Sequence, residues 1–190
     1  QIGGPEGFYL GQLFWSTNTI LKFKRNLTLY TNFGINIYDT FNDFNNPSSS
    51  ELPHVRSDIQ DYLKEGKNNI QRMKLEYMFS PFKDVFFRAD LGFMEEMFAG
   101  VGGEILYRPF NNRTAVGLTF HRVKQRDYDQ LFSLRDYETN TGHLSLYTSI
   151  NDIYAQLHAG KYLAGDSGFT LDLSRRYKTG FTLGAFATKT

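Results

Sequence analysis

The sequence predicts an all-β fold, an antiparallel up-and-down transmembrane β-barrel with about ten strands. The first observation is a period-two alternation that recurs along the chain. Val116, Leu118 and Phe120 fall on one side of a predicted strand, whereas Thr119 and His121 fall on the other. The second observation is that tight turns and longer loops alternate between the strands. The third is the supply of aromatic residues, 18 Phe, 12 Tyr and 1 Trp in 190 residues, which suits strands and the aromatic girdles of outer-membrane barrels.

The alternation places ten strands in one domain that covers residues 1–190. The predicted strands are 7–20, 27–38, 69–80, 84–94, 101–109, 113–124, 139–149, 152–163, 168–177 and 180–190. Tight connections are predicted at 22–26, 81–84, 109–112, 149–152 and 177–180, and longer ones at 39–68, 95–100, 124–138 and 164–167. Short turns at one end and longer loops at the other are typical of outer-membrane barrels.

Composition excludes several classes of function. The net charge of +1 gives no basic footprint, so we expect no nucleic-acid partner. The chain contains no cysteine, which excludes disulfides and thiolate metal sites. No run approaches the roughly 18 apolar residues of a transmembrane helix.

The polar side of the predicted strands carries charges of both signs, which we expect to line a lumen. The predicted lumen-lining residues are Arg72, Lys74, Glu76, Arg88, Asp90, Glu104, His121, His143, Gln156, His158 and Asp172. The leucines expected to face lipid are Leu118, Leu144, Leu157, Leu171 and Leu183. Consecutive antiparallel strands usually pair, so the charges should form a ladder of ion pairs across the strands rather than a wide empty channel. A soluble barrel would instead turn its apolar side inward.

One short helix is predicted near residues 58–65, within the long loop at 39–68. Ser57 can cap it, with Gln60 three residues later in capping-box spacing. Ile59, Tyr62 and Leu63 share one face. Gly66 can end the helix. A helix this short must dock on the rest of the protein. It forms either a loop packed on itself or a partial plug, and residues 42–52 before it are expected to be a flexible loop.

The search for catalytic residues identifies no site, so we expect no enzyme activity, no cofactor and no metal. His121, His143 and His158 share the polar face, but their spacing does not fix a metal site. Ser145 shares that face with His143 but has no defined acid partner. The glycines at 100–103 sit at a predicted strand entrance, which favours a tight turn or bulge over a phosphate loop.

The loop at 124–138 allows two interpretations. Its polar residues are Gln125, Arg126, Asp127 and Tyr128 at the start, and Arg135, Asp136 and Tyr137 at the end. The first interpretation is a loop closed by its own ion pairs. The second is a rim that contacts saccharide, since aromatic faces and Arg or Asp groups suit sugar hydroxyls.

Several long segments resemble one protein family. They are LPHVRSDI (52–59), EEMFAGVGGEILYRPF (95–110), VKQRDYD (123–129), LRDYETNTGHLSLY (134–147) and AGKYLAGDSG (159–168). In the same order they resemble the YjbH family of exopolysaccharide-associated outer-membrane proteins. The resemblance covers most of the chain from about residue 52 onward and is less distinct over residues 1–50.

The resemblance implies an outer-membrane barrel of Gram-negative bacteria that accompanies exopolysaccharide or capsule assembly. Family members resemble lipoproteins and are considerably longer than this sequence, which shows no signal peptide or lipobox cysteine. We therefore expect a portion of a longer protein, with barrel closure involving more than these ten strands. No catalytic residues are carried over from the family.

The sequence thus favours a barrel that assists export or surface organisation of exopolysaccharide in the outer membrane. Outer-membrane lipid, polysaccharide and other exopolysaccharide-export proteins are the expected partners. Two alternatives stay open. An outer-membrane lipid or glycan hydrolase would show a clustered Ser–His–acid set, and a soluble lipocalin-like binding barrel would show an apolar interior.

Overall fold

The computed structural model describes residues 11–41, 51 and 53–190. Within these residues the chain forms one seven-residue helix and ten strands. They are β1 (Gln12–Lys24), β2 (Leu27–Asp39), α1 (Ile59–Glu65), β3 (Asn68–Phe82), β4 (Val85–Phe93), β5 (Phe98–Tyr107), β6 (Thr114–Arg126), β7 (Leu134–Ile150), β8 (Ile153–Lys161), β9 (Ser167–Arg176) and β10 (Thr182–Lys189). No helix in the described part of the chain is long and apolar enough to cross a membrane.

The ten strands form one sheet in which every strand is a neighbour of the next in sequence, from β1 to β10. The pairings are antiparallel, for example Ser145 opposite His158 between β7 and β8. In the described pairing order β1 and β10 are the two ends of the sheet, so an all-β antiparallel fold is confirmed and closure into a barrel is not.

Short turns join the strands at one end because residues there tolerate a left-handed backbone. Asp84 (φ 63°) lies between β3 and β4, and Asn151 (φ 55°) lies between β7 and β8. Gly180 (φ 88°) lies between β9 and β10. Asn, Asp and Gly reach positive φ most readily, which closes these hairpins tightly.

The predicted strand boundaries differ from the observed ones most at the starts of three strands. The start predicted for the first strand, before residue 11, lies outside the described residues, and β1 continues to Lys24. The flexible loop predicted at 42–52 also lies outside them, apart from residue 51. β5 begins at Phe98, which places the glycines at 100–103 inside a strand rather than at its entrance. β7 begins at Leu134, so the predicted loop at 124–138 shrinks to residues 127–133.

The chain packs as two compact units, which we describe separately. The first unit comprises the described residues up to Glu76, with Leu91–Gly100 and Val123–Glu138. It contains a small apolar core around α1. The buried apolar residues there are Phe41, Tyr62, Ile70, Met97, Phe98, Ala99 and Val123.

The second unit comprises Tyr77–Asp90, Val101–Arg122 and Thr139–Thr190, and its burial is the reverse of a soluble core. Its buried residues within the described chain are Asp90, Ala115, Thr139 and Ser145, apart from glycine. Leu118 is 54% exposed and Leu183 is 60% exposed. The apolar side of these strands is therefore uncovered and the polar side is packed, contrary to the apolar interior of a lipocalin-like barrel.

Candidate functional site on the polar face

Four ionisable side chains of the second unit meet in one network across β4, β5 and β6. Arg88 Nη2 lies 3.0 Å from Glu104 Oε2, and Arg88 Nε lies 3.3 Å from Asp90 Oδ2. His121 Nε2 lies 3.1 Å from the other oxygen of Asp90. Asp90 is only 3% exposed, and Arg88 and His121 lie against its two carboxylate oxygens. Of the ladder of opposite charges expected across the strands, the Arg88–Glu104 pair between β4 and β5 is present here, whereas Arg88 and Asp90 pair within β4.

Gly102 explains how the network passes over a whole strand. Asp90 is on β4 and His121 is on β6, with β5 between them. A Cβ atom on Gly102 would collide with the imidazole ring of His121 and with the carbonyl oxygen of Phe120. The missing side chain therefore gives the His121 ring room to lie over β5 and reach Asp90.

A second polar cluster joins β7, β8, β9 and β10. Ser145 Oγ lies 2.7 Å from His158 Nδ1, and Thr170 Oγ1 lies 2.8 Å from Thr188 Oγ1. Tyr162 Oη adds a 2.6 Å contact to Thr170. Of these residues, Ser145, His158, Tyr162 and Thr170 line a recess of about 360 Å³ together with other side chains. Hydroxyl and imidazole hydrogen bonds thus connect all four strands on the polar face.

The Ser145–His158 contact does not complete a catalytic triad in the described structure. Ser145 is 2% exposed, and the residue opposite His158 on β9 is Thr170, not a carboxylate. His143 lies on the same face with its ring against Tyr162, at a centroid distance of 4.7 Å. The described residues contain no group of three or more His, Asp or Glu side chains that could hold a metal ion.

Gln156 and Asp172 belong to a row of side chains that crosses the same four strands. The pairing register aligns Tyr147 on β7 with Gln156, Gln156 with Asp172, and Asp172 with Phe186 on β10. Directly opposite residues share a face, so Phe186 is an aromatic residue on the polar side. It is 74% exposed.

The predicted polar residues on β3 belong to the first unit. Lys74 Nζ lies 2.8 Å from Glu76 Oε2, and the hydroxyl of Tyr30 donates to Glu76 Oε1 at 3.4 Å. Arg72 instead lines a recess of about 650 Å³. The same recess is lined by Arg56 and Glu95, which form an ion pair at 2.7 Å. This recess is polar and belongs to the first unit alone.

Arg126 at the end of β6 holds three segments of the first unit together. Its guanidinium is fully buried and donates to the carbonyl oxygen of Ile70 at 2.8 Å. It also donates to the carbonyl oxygens of Glu95 (3.0 Å), Glu96 (3.2 Å) and Leu131 (3.0 Å), and to that of Gln130. The guanidinium carbon stacks 4.1 Å from the centroid of the Phe93 ring. The β6–β7 connection is therefore closed by hydrogen bonds from one cation to carbonyls, not by the ion pairs expected from the sequence.

Burial changes which residues of this connection could touch a ligand. Gln125 is 5% exposed and donates to the carbonyl of His54 at 3.0 Å. Gln125 and Arg126 are thus removed from the proposed saccharide rim. Asp127 accepts a hydrogen bond from the backbone of Tyr128 at 2.9 Å. Asp136 is exposed.

The remaining aromatic residues of the connection are held in place by neighbours. Tyr137 is half-buried on β7. Arg135 stacks on the Tyr128 ring, with its guanidinium carbon 4.0 Å from the ring centroid. Arg135, Asp136 and Tyr137, with Asp127 and Tyr128, stay the predicted saccharide-contacting set.

Helix α1 docks through Tyr62, as predicted, and ends at Gly66. The Tyr62 side chain is buried and donates to the carbonyl of Arg126 at 2.6 Å. Burial raises the pKa of the Tyr62 hydroxyl. Ile59 is 41% exposed, so the prediction that it helps dock the helix is wrong.

The helix start also differs from the prediction, because Asp58 rather than Ser57 occupies the N-cap position and makes no side-chain cap bond. Its carboxylate is used elsewhere. It accepts from the Tyr128 hydroxyl at 2.8 Å and lies 2.6 Å from His54 Nδ1. Burial, followed by the hydrogen bond to Asp58, raises the pKa of Tyr128 to about 12.

Sequence reasoning missed three contributors to the polar face. Phe186 was assigned to neither side, although its register opposite Asp172 indicates the polar side. Gly102 was noticed only as part of a glycine run. Tyr162 lies beyond the end of β8, where period two no longer applies.

These features define a class of protein: an all-β chain with one antiparallel sheet that buries polar groups and exposes apolar ones in its second unit. The family described as "Exopolysaccharide biosynthesis protein YbjH" matches residues 1–190, and the chain belongs to this YjbH family. The chain is also similar to the "Uncharacterized lipoprotein YjbH" of Escherichia coli (strain K12), with 35% identity over 205 aligned residues. The alignment covers 100% of this chain but only 28% of that relative. No solved structure matches the chain.

Proposed function

We propose that the chain is a membrane-spanning β-barrel segment of the outer membrane, and that it assists export or surface organisation of an exopolysaccharide. The process is suggested by the family's description as an exopolysaccharide biosynthesis protein. The location is suggested by the similar lipoprotein, since a lipoprotein is held at a membrane of the cell envelope. On this proposal the partners are outer-membrane lipid, the polymer and other export proteins.

The observation that carries the membrane proposal is the inverted burial of the second unit. Leu118, Leu144 and Leu183 are 54%, 57% and 60% exposed. Asp90 and Ser145 on the other side are 3% and 2% exposed. Monomeric soluble proteins rarely leave such a continuous apolar surface in water, whereas barrel strands alternate apolar residues towards lipid with polar residues towards the interior.

The polar side is suited to binding and guiding a polymer rather than to chemistry. Its groups are tied to one another by ion pairs and hydrogen bonds, as with Arg88 and Glu104, and no complete catalytic set is formed by the described residues. Hydroxyl, amide and carboxylate groups can exchange these bonds for bonds to sugar hydroxyls. We therefore propose a non-catalytic role.

Adjacent positions on β10 provide the test of the membrane proposal. Ala185 pairs with Leu173 on the apolar side, and Phe186 pairs with Asp172 on the polar side. Both are exposed, and the chain has no cysteine of its own. The variants Ala185→Cys and Phe186→Cys can thus each carry one bimane fluorophore in vesicles that contain brominated lipid. We expect strong quenching at position 185 and weak quenching at position 186, and equal quenching would contradict a spanning strand.

The role in the polymer pathway is tested in the strain that produces the protein. Removal of the gene should lower the amount of extracellular polysaccharide. Expression of the native protein that contains the wild-type chain should restore that amount. The variant Leu118→Arg should fail to restore it if insertion in lipid is needed. Unchanged extracellular polysaccharide after gene removal would contradict the proposed role.

A further inference from the structure

A recess of about 420 Å³ lies at the tight-turn end of the second unit's polar side. The β5–β6 turn forms one wall, and β7 with β8 forms the other. The backbone fixes this geometry, because the Ser149 amide donates to the carbonyl of Arg113 at 3.2 Å and the Arg108 amide donates to that of Asp84 at 2.8 Å. The volume falls in the range of small-ligand sites.

Two guanidinium groups at this recess have no carboxylate partner among the described residues. Arg108 and Arg113 both line the recess, and both are exposed. Glu104 also lines it, but its carboxylate is held by Arg88 at 3.0 Å. The recess therefore keeps an excess of positive charge, carried by side chains that bind carboxylates in a bidentate manner.

The rest of the lining matches the hydroxyls and ring faces of a sugar. Tyr147 and Tyr154 supply aromatic rings. Gln156 supplies an amide, and so does Asn112, whose carbonyl oxygen already accepts from the Thr114 amide at 3.0 Å. The Asn112 amide nitrogen remains as a donor. Aromatic faces with a few oriented polar groups are the usual composition of a small-ligand site.

We propose that this recess binds an acidic sugar residue, such as a uronate, within a polysaccharide. Arg108 and Arg113 bind the carboxylate, the tyrosines pack on the pyranose ring, and the amides bond its hydroxyls. An anionic lipid headgroup fits less well, because Tyr147 and Gln156 belong to the polar side of the strands and not to the exposed apolar side. The inference rests on the proposed function and names the class of polymer that it handles.

The test measures binding of tetragalacturonate to the full chain in detergent micelles by calorimetry, with maltotetraose as the uncharged probe. We expect tetragalacturonate to bind more tightly than maltotetraose. Arg113→Gln should weaken tetragalacturonate binding about tenfold, as expected for loss of a charge-assisted hydrogen bond. Arg176→Gln is the matched control. Arg176 is exposed at the end of β9 that leads into the tight β9–β10 turn, but it does not line the recess. It should change the affinity less than about twofold.

A second variant tests the aromatic half of the site independently. Tyr154→Leu keeps the charge of the recess and removes one ring, so it should weaken binding of tetragalacturonate by about threefold. An unchanged far-ultraviolet circular dichroism spectrum serves as the check that each variant keeps its strands.

Three results would overturn the assignment. They are no binding of tetragalacturonate, the same affinity for maltotetraose as for tetragalacturonate, or the same loss of tetragalacturonate affinity in Arg113→Gln and in Arg176→Gln. A different result would identify a lipid site instead: Arg113→Gln weakens binding to phosphatidylglycerol vesicles but leaves tetragalacturonate binding unchanged. Because the bimane experiment uses no sugar and the calorimetry uses no bilayer, failure of the recess and failure of the membrane proposal are distinguishable.

Discussion

Replacing Arg126 by methionine is the most severe single change that we predict for the first unit. Methionine keeps much of the unbranched stem but removes the guanidinium. The carbonyl oxygens of β3, of the β4–β5 turn and of the β6–β7 connection then lose their common donor. Three segments that Arg126 holds together should separate.

The magnitude follows from the five carbonyl contacts. A hydrogen bond to a charged group contributes about 1.5 to 3 kcal/mol, so five give an upper bound of about 7 to 15 kcal/mol. The variant also avoids the desolvation cost of burying a cation, several kcal/mol, which partly offsets this loss of stability. Part of the remainder is recovered by water that enters the site. We expect a net loss of about 3 to 5 kcal/mol, at the upper end of single substitutions, where breaking a buried hydrogen-bond network belongs.

The assay is equilibrium unfolding in denaturant, followed by the fluorescence of Trp15, which lies in the same unit as Arg126. Arg25→Met is the control, because Arg25 is exposed in the same unit and its replacement removes the same charge. Hydrogen exchange over residues 127–133 should also accelerate in Arg126→Met alone. If the two variants unfold within about 0.5 kcal/mol of each other, the carbonyl contacts do not stabilise the unit as we argue.

Three further predictions concern single positions. Gly102→Ala should cost about 1 to 3 kcal/mol, because the added methyl collides with the His121 ring and with the carbonyl oxygen of Phe120. Gly117→Ala should cost less, because the nearest atom, on the Tyr147 ring at 3.3 Å, needs to move by only a few tenths of an ångström; equal unfolding midpoints would contradict this. Leu118→Arg should cost about 2 to 4 kcal/mol in lipid vesicles if it lies near the midplane, whereas Thr119→Arg should cost less, and equal refolding stability would argue against lipid at position 118. Tyr128, with its pKa raised to about 12, stabilises the β6–β7 connection fully below its ordinary pKa of about 10, and this stabilisation is lost as the pH rises towards 12. Tyr128→Phe should abolish that loss. The measurement is the phenolate absorbance of the wild type minus that of Tyr128→Phe as a function of pH, and ionisation of Tyr128 near pH 10 would contradict the prediction.

The strands could be predicted because their signal is local. Alternation around Leu118 or Leu171 requires only the neighbouring residues, and all ten strands were located by it. The start of β7 at Leu134 was missed because the charged run after it favours a loop when taken alone. Pairing within the sheet overrides that local preference.

The site was predictable only where it follows the strand period. Arg88, Asp90 and Glu104 were assigned to one face by alternation. The Arg88–Glu104 ion pair follows from strands adjacent in sequence, and the Arg88–Asp90 pair joins neighbours on one face of β4. Arg126 could not be assigned in this way, since its contact with Ile70 joins residues 56 positions apart. A charged residue in a polar loop is usually exposed, and only the folded chain shows that five carbonyls surround this one.

The inverted burial of the second unit has a consequence for how the protein is made. A sheet that gathers Asp90 and Ser145 inside and leaves its leucines outside gains little from the hydrophobic effect when it forms in water. Its driving force appears when those leucines leave water for an apolar phase. Production of the chain without a bilayer or detergent should therefore yield aggregates, and folding should begin only where such a phase is supplied.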